Sequence, residues 1–271
     1  MKRFTALLLS AIVLFSCEKT DDSAGAPEIP PIESMLIDLG TITNISKSAT
    51  TNNTNWFYSS RSVGAWNAII ATTFAVPVAS FKAAFSQRPE KVDELTWQWS
   101  YSVTGFTNQY SARLLGKIES DHVKWEMYIS KDGIDSFDEF MWFEGTSNLE
   151  KNGGQWILYH SAEFPEETIQ IDWQKESDKV GEIRYTYIRE LNNNREQDPF
   201  KDSYLIYGLR DEAFDIYVNM HAFSNELNSF ADTFIEWNST DLTGRVMAEH
   251  FYSNTNWHCW DINGNDIDCG E

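Results

Sequence analysis

From Leu95 onward, apolar and polar residues alternate along the chain with the period of half-buried β-strands. Leu95, Trp97, Trp99, Tyr101 and Val103 fall on one face of the first run, with Thr96, Gln98, Ser100 and Ser102 on the other. The pattern returns with Val123, Trp125, Met127 and Ile129, with Ile169, Ile171 and Trp173, and with Phe214, Ile216, Val218 and Met220. Lys131-Asp132-Gly133, Asn152-Gly153-Gly154, Ser177-Asp178 and Asn192-Asn193-Asn194 supply turn chemistry between runs. About eleven strands result, and turns this short join antiparallel neighbours.

One helical pattern precedes them. Trp66, Ile70, Phe74, Val78, Phe81 and Phe85 recur three or four apart and predict a helix over about 61–86, which Pro77 kinks or divides. No ionisable side chain occurs from Ser62 to Phe81, so burial on more than one side is expected. Asn67, Thr72, Thr73 and Pro77 speak against a membrane span. A large twisted sheet must curl, split or close. The predicted fold class is therefore mainly β (α+β): a large antiparallel meander, an open or partly closed barrel, curved around an N-terminal helix. This arrangement resembles the curved-sheet carriers of the LolA and LolB type, in which an unclosed antiparallel barrel holds lipid. The likeness is of architecture, and no functional residue carries over from it.

The amino-terminal residues give an address. Met1-Lys2-Arg3 is a positive n-region, Phe4 to Phe15 an apolar stretch shorter than the roughly 20 residues of a bilayer span, and Leu14-Phe15-Ser16-Cys17 resembles a lipobox cut before the cysteine. The expected organisation is a cleaved signal peptide at 1–16, lipidated Cys17 followed by a flexible linker to residue 34, and a single β-rich domain over 35–271. The linker reading rests on Asp21-Asp22, Ser23, Gly25 and prolines 27, 30 and 31. Glu18-Lys19-Thr20-Asp21-Asp22 is similar to the acidic tract that follows the anchor in surface-exported lipoproteins of the Bacteroidota. That resemblance implies the bacterial outer membrane, on its periplasmic or cell-surface face.

Three cysteines are present, and assigning Cys17 to lipid leaves Cys259 and Cys269 as a disulfide pair in an oxidising compartment. Asn263-Gly264 is a strong hairpin signal, and a three-residue loop at Asn263 to Asn265 places Cys259 directly opposite Cys269. In the same loop, Asp261-x-Asn263-x-Asn265 matches the opening of an EF-hand-like calcium loop. Asp266 stands where glycine is needed and the chain ends before a twelfth-position Glu, so calcium is the alternative to a solvated turn. No other metal or cofactor is expected.

The formal charge is −20 and grows by two more negative units when Lys2 and Arg3 leave with the leader, which excludes nucleic acid as an expected partner. The chain holds no nucleophile elbow, zincin motif, Cys-x-x-Cys, P-loop or dinucleotide-binding glycine pattern, and its five histidines lack metal-ligand spacing. Glu144, in Phe140-Met141-Trp142-Phe143-Glu144, shares a face with Phe140 and Trp142 under strict alternation. Burial there would suit a general acid, which makes a carboxylate-dependent glycoside hydrolase one alternative. The heavier signal is eleven tryptophans. Trp97, Trp99, Trp125, Trp142, Trp156 and Trp173, with Glu144, form the candidate ligand-binding wall on successive predicted strands. Such a wall packs against the helix, lines a cavity for an apolar or amphipathic ligand, or, where it meets water, stacks on sugars. The expectation is a non-enzymatic, lipid-anchored cell-envelope protein whose partners are the membrane, through its anchor, and a small ligand, lipid or glycan. Surface glycan binding and a structural or assembly role in an outer-membrane complex are the alternatives.

Overall fold

The computed structural model describes residues 25–37, 42, 53–105, 108–177 and 179–270. The expected signal peptide and Cys17 lie outside the described residues. Two helices come first, α1 (Thr54–Thr73) and α2 (Ala75–Ala84). The strands follow as β1 (Glu90–Asp93), β2 (Thr96–Gly105), β3 (Asn108–Ile118), β4 (His122–Lys131), β5 (Phe137–Asn148), β6 (Gly153–Tyr159) and β7 (Glu167–Glu176). After them come β8 (Lys179–Tyr187), β9 (Tyr204–Leu209), β10 (Ile216–Ser224), β11 (Ser229–Trp237), β12 (Gly244–Met247), the one-turn helix α3 (Glu249–Tyr252), β13 (His258–Trp260) and β14 (Asp266–Ile267). Every strand pairs antiparallel with the next, giving one 14-stranded meander whose first and last strands do not pair, so the barrel is open. Fourteen strands stand where about eleven were predicted; the shortest, β1, β12, β13 and β14, hold two to four residues each at the two edges of the sheet.

Tryptophan and glycine alternate along one row of the buried face. Trp97 faces Gly116, which faces Trp125, then Gly145, then Trp156. The row continues through Ile171, Tyr185, Leu205 and Met220. A flat indole needs room over the neighbouring strand, and glycine provides it. A Cβ at Gly145 would stand 2.3 Å from the Gln155 carbonyl oxygen and 2.4 Å from Trp156 Cε3. Large and small residues thus interlock across strands, as close-packed interiors require.

The helical segment starts at Thr54 rather than near 61, and it breaks at Phe74 with a bend of 71°. Pro77 explains the position of the break. It has no N–H for the Thr73 carbonyl four residues back, and its ring would strike that carbonyl, so α1 stops there and Pro77 sits in the first turn of α2. No single helix among the described residues is long and apolar enough to cross a membrane.

The helices span the opening of the sheet. α2 lies on β2 and β3, where the Tyr101 hydroxyl donates to the Ser80 carbonyl at 2.6 Å and Phe81 packs edge-on against Phe143 and Trp156. α1 lies on β12 to β14. Its own N-cap, Asn53, makes no side-chain cap; the Asp266 carboxylate does this instead, accepting from Thr54 N at 3.1 Å and Asn55 N at 2.9 Å. Asn55 Nδ2 donates to the Cys259 carbonyl at 2.8 Å, tying the helix start to the carboxy-terminal hairpin.

Residues 25–34 belong to the folded domain, which shortens the linker expected over 17–34. They and the next three residues form a strap across the buried face, with a 3₁₀ turn at Ile32–Ser34. Ser34 and Met35 are fully buried. Trp156 Nε1 donates to Ser34 Oγ at 3.2 Å, and the Tyr185 hydroxyl accepts from Ile37 N at 3.1 Å and donates to the Met35 carbonyl at 3.3 Å. Prolines 27, 30 and 31 fix an extended strap here, a composition that reads equally as a spacer.

Candidate functional site

The candidate tryptophan wall is built, and it is full. Trp97, Trp99, Trp125, Trp156 and Trp173 are buried at 3% exposure or less, covered by the strap and α2. Trp125 Nε1 donates to Ser147 Oγ at 2.9 Å. Burial pushes the phenol of Tyr185, on the same face, well above its usual range. These side chains are core, and Trp66, Trp142 and Trp257 are the half-buried tryptophans.

Trp142 and Glu144 depart from the alternation. A register shift between Met127 and Tyr128 leaves Met141 paired with Tyr128 and Phe143 with Met127, so Trp142 is the extra residue of a β-bulge. Phe143 takes the buried position and Trp142 packs edge-on with Phe137 and Phe140. Glu144 therefore lies on the outer face, opposite Glu126. Lys124 Nζ bridges the two carboxylates at 2.8 Å and 3.5 Å, and the Tyr159 hydroxyl donates to Glu144 Oε1 at 2.8 Å. Burial first, then the Glu144 carboxylate, raises the Tyr159 phenol, keeping it a donor. The shared face with Phe140 and Trp142, whose burial would have suited the alternative of a general acid, is not formed.

Cys259 and Cys269 are joined, with Cα atoms 5.1 Å apart. The hairpin register differs from expectation: Cys259 faces Ile267 and Trp260 faces Asp266, with Cys269 beyond the last pair. The loop is Asp261 to Asn265, closed by Asp261 N donating to the Asn265 carbonyl at 2.9 Å. The Asp261 carboxylate turns inward, accepting from the backbone N–H groups of Asn263 and Asn265 at 2.8 Å each and from Asn265 Nδ2 at 3.2 Å. Asp261, Asn263 and Asn265 thus build an Asx-type loop, while Asp266 caps α1. No cluster of three potential His, Cys, Asp or Glu ligands occurs among the described residues.

Several clefts open at the surface of the described residues, three of them of about 500 Å³ or more. A shallow one of about 500 Å³ lies over the β5–β6 turn, lined by His122, Thr146, Asn148, Asn152, Gly153, Gly154, Trp173 and Gln174. A groove of about 640 Å³ runs beside β11 and α3. The third, of about 660 Å³, opens between the strap and the inner-face residues of β8 to β10. Ile37 of the strap forms one wall with Pro31 and Glu33, and Val180, Leu209 and Ile216 form the other, with Lys179, Arg210, Asp215 and Ser239 at its margin. Val180 and Ile216 are core residues, so the cleft reaches the apolar interior. Arg210 is held by Glu236 at 2.9 Å and Glu212 at 3.3 Å, and Asp215 by Ser239 N at 2.6 Å. A cleft of this size, apolar at its base with a few charged groups at the rim, suits a small amphipathic molecule. Sequence reasoning missed it because the strap supplies one wall, and the strap had been read as a spacer.

No family model, curated protein or solved structure matches this chain.

Proposed function

We propose that this chain is a lipid-anchored protein of the bacterial cell envelope that binds an amphipathic molecule, without catalysing a reaction on it. The observation that carries the reading is the position of the 660 Å³ cleft. Its lining residues Lys179, Arg210, Asp215 and Ser239 stand at or beside the turns β7–β8, β9–β10 and β11–β12, all at one end of the sheet. The strap enters at that same end, with Gly25 against Trp97 at the start of β2 and Glu28 paired to Lys151 in the β5–β6 turn. Gly25 follows Cys17 by eight residues, which span at most about 28 Å when extended. Lipid on Cys17 would hold the mouth of the cleft near the membrane surface. Val180, Leu209, Ile216 and Ile37 offer an apolar seat, and Lys179 at the margin offers positive charge to a polar head, Arg210 being already paired with Glu236 and Glu212. The Cys259–Cys269 pairing supports the anchor, because Cys17 is the remaining cysteine.

Native mass spectrometry of residues 18–271 tests the binding half. A co-purifying adduct released on denaturation is expected, together with uptake of a lysophospholipid by the emptied protein that Val180→Trp abolishes. A bare mass with no uptake of lysophospholipid overturns the reading. The anchor is tested separately by metabolic labelling with palmitate in an exporting bacterium, where Cys17→Ser must lose the label.

A further inference from the structure

A ladder of stacked planar groups crosses the outer face from β8 to β11. The Arg184 guanidinium lies 4.0 Å from the Tyr204 ring centroid, Tyr204 stacks on His221 at 5.2 Å and 20°, and His221 stacks on Phe230 at 4.5 Å and 6°. Each member sits one strand further along the sheet. His221 Nδ1 is fixed by Asp232 Oδ1 at 2.6 Å, and Phe223 meets Phe230 edge-on at 5.5 Å, so the last ring is held from two sides.

The next position in the ladder belongs to β12, but β12 pairs with β11 only from Phe234 to Trp237. Beyond Met247 the chain turns away into α3. The vacated place is the 640 Å³ groove, whose walls include Phe230, Leu227, Phe234 and Met247 as well as Asp232, Glu249, His250, Ser253 and Thr255. Phe230 is 39% exposed there.

We propose that this groove binds a neutral pyranose ring stacked on the open face of Phe230. An immobilised aromatic face receives the axial C–H groups of a sugar at little entropic cost. The polar inventory matches the other side of a sugar: the carboxylates of Asp232 and Glu249 accept hydrogen bonds from hydroxyl groups, and Ser253 and Thr255 both donate and accept. The same carboxylates repel phosphate and other anions. This site is separate from the amphiphile cleft in residues and in location, since Phe230 begins β11 and the cleft lies at the opposite end of that strand beside Ser239.

Saturation-transfer NMR on residues 18–271 with cellobiose, maltose, lactose and chitobiose, each at millimolar concentration, tests it. At least one disaccharide should receive saturation, concentrated on the C–H protons of one ring face. Phe230→Ala should weaken that disaccharide about tenfold or more. Glu249→Gln, which leaves the ring in place, should weaken it severalfold. Transfer to none of the four sugars overturns the proposal, as does transfer that survives both groove variants. Binding of N-acetylphenylalanine amide without any disaccharide also overturns it, because the groove would then be an aromatic side-chain site.

Discussion

Replacing Gly145 by Ala adds one methyl group at the centre of the tryptophan row, and the structure sets its cost. The new Cβ would meet the Gln155 carbonyl oxygen at 2.3 Å and Trp156 Cε3 at 2.4 Å. Both contacts are shorter than carbon atoms tolerate, and the first partner is backbone of the adjacent strand. Overpacking of this kind costs about 1–3 kcal/mol. Moving the indole to relieve it also breaks the Trp156 Nε1 bond to buried Ser34 Oγ, adding about 1 kcal/mol. The expected loss is roughly 2–4 kcal/mol. Urea unfolding followed by tryptophan fluorescence will show a lower midpoint with an unchanged slope if the folded state alone is affected. Gly133→Ala is the control: nothing lies within 4 Å of its Cβ, but its φ of +90° makes any side chain strained, so about 1 kcal/mol is expected. A second arm uses Trp156→Leu, against which the cost of Gly145→Ala should fall because half of the clash is gone. The reasoning fails if Gly145→Ala costs no more than Gly133→Ala, or if its cost is the same with and without the indole.

Removing the Cys259–Cys269 link, by Ser at both positions, should cost about 2.7 kcal/mol from the loop entropy of its ten-residue separation, read as a lower melting temperature that reducing agent does not lower further. Asp266→Ala takes the cap from α1 and should cost about 1–2 kcal/mol, with protease cleavage appearing in α1 before the sheet. Alkali should destabilise the fold. Burial and the Asp198 carboxylate push the Tyr187 phenol up to about 12, and burial raises Tyr101, Tyr185 and Tyr252 also. The unfolded chain therefore loses these protons first, so stability is full below pH of about 10 and declines above it. Phenolate absorbance should rise in step with unfolding, and early reversible ionisation of all the tyrosines would contradict the burial. Acrylamide should quench little of the fluorescence, because eight of the eleven tryptophans are buried.

The sheet was legible in the chain because period-two alternation survives wherever one face is buried, as in Trp97 to Val103 and Val123 to Ile129. The disulfide was legible from cysteine number and the Asn-Gly turn, but its register was not. Asp261 reaches back to the N–H groups of Asn263 and Asn265, and this widens the loop to five residues. Glu144 was misplaced for a related reason: one inserted residue at Trp142 shifts the side chains around it relative to an alternating pattern, and nothing in Phe140 to Glu144 announces the insertion. The capping of α1 was invisible, since its acceptor stands 212 residues away. The strap shows the limit of composition. Proline, serine and acidic residues describe a chain that will not form helix or strand, whether it ends in solvent or, like Ser34 and Met35, inside a core.

The contacts that close the fold also set its order of assembly. Ile37 to Tyr185 joins residues 148 apart, Asn55 to Cys259 joins residues 204 apart, and Thr54 to Asp266 joins residues 212 apart. Each strand, by contrast, finds its partner in the next segment of chain. Local hairpins form readily, whereas contacts of such separation wait for the loop entropy to be met. The strap and α1 are made first and bound last, so their apolar residues stay uncovered until the carboxy-terminal strands are in place. A chaperone that recognises exposed apolar segments would find its substrate there, and the last residues to be made, around Asp266, complete the structure.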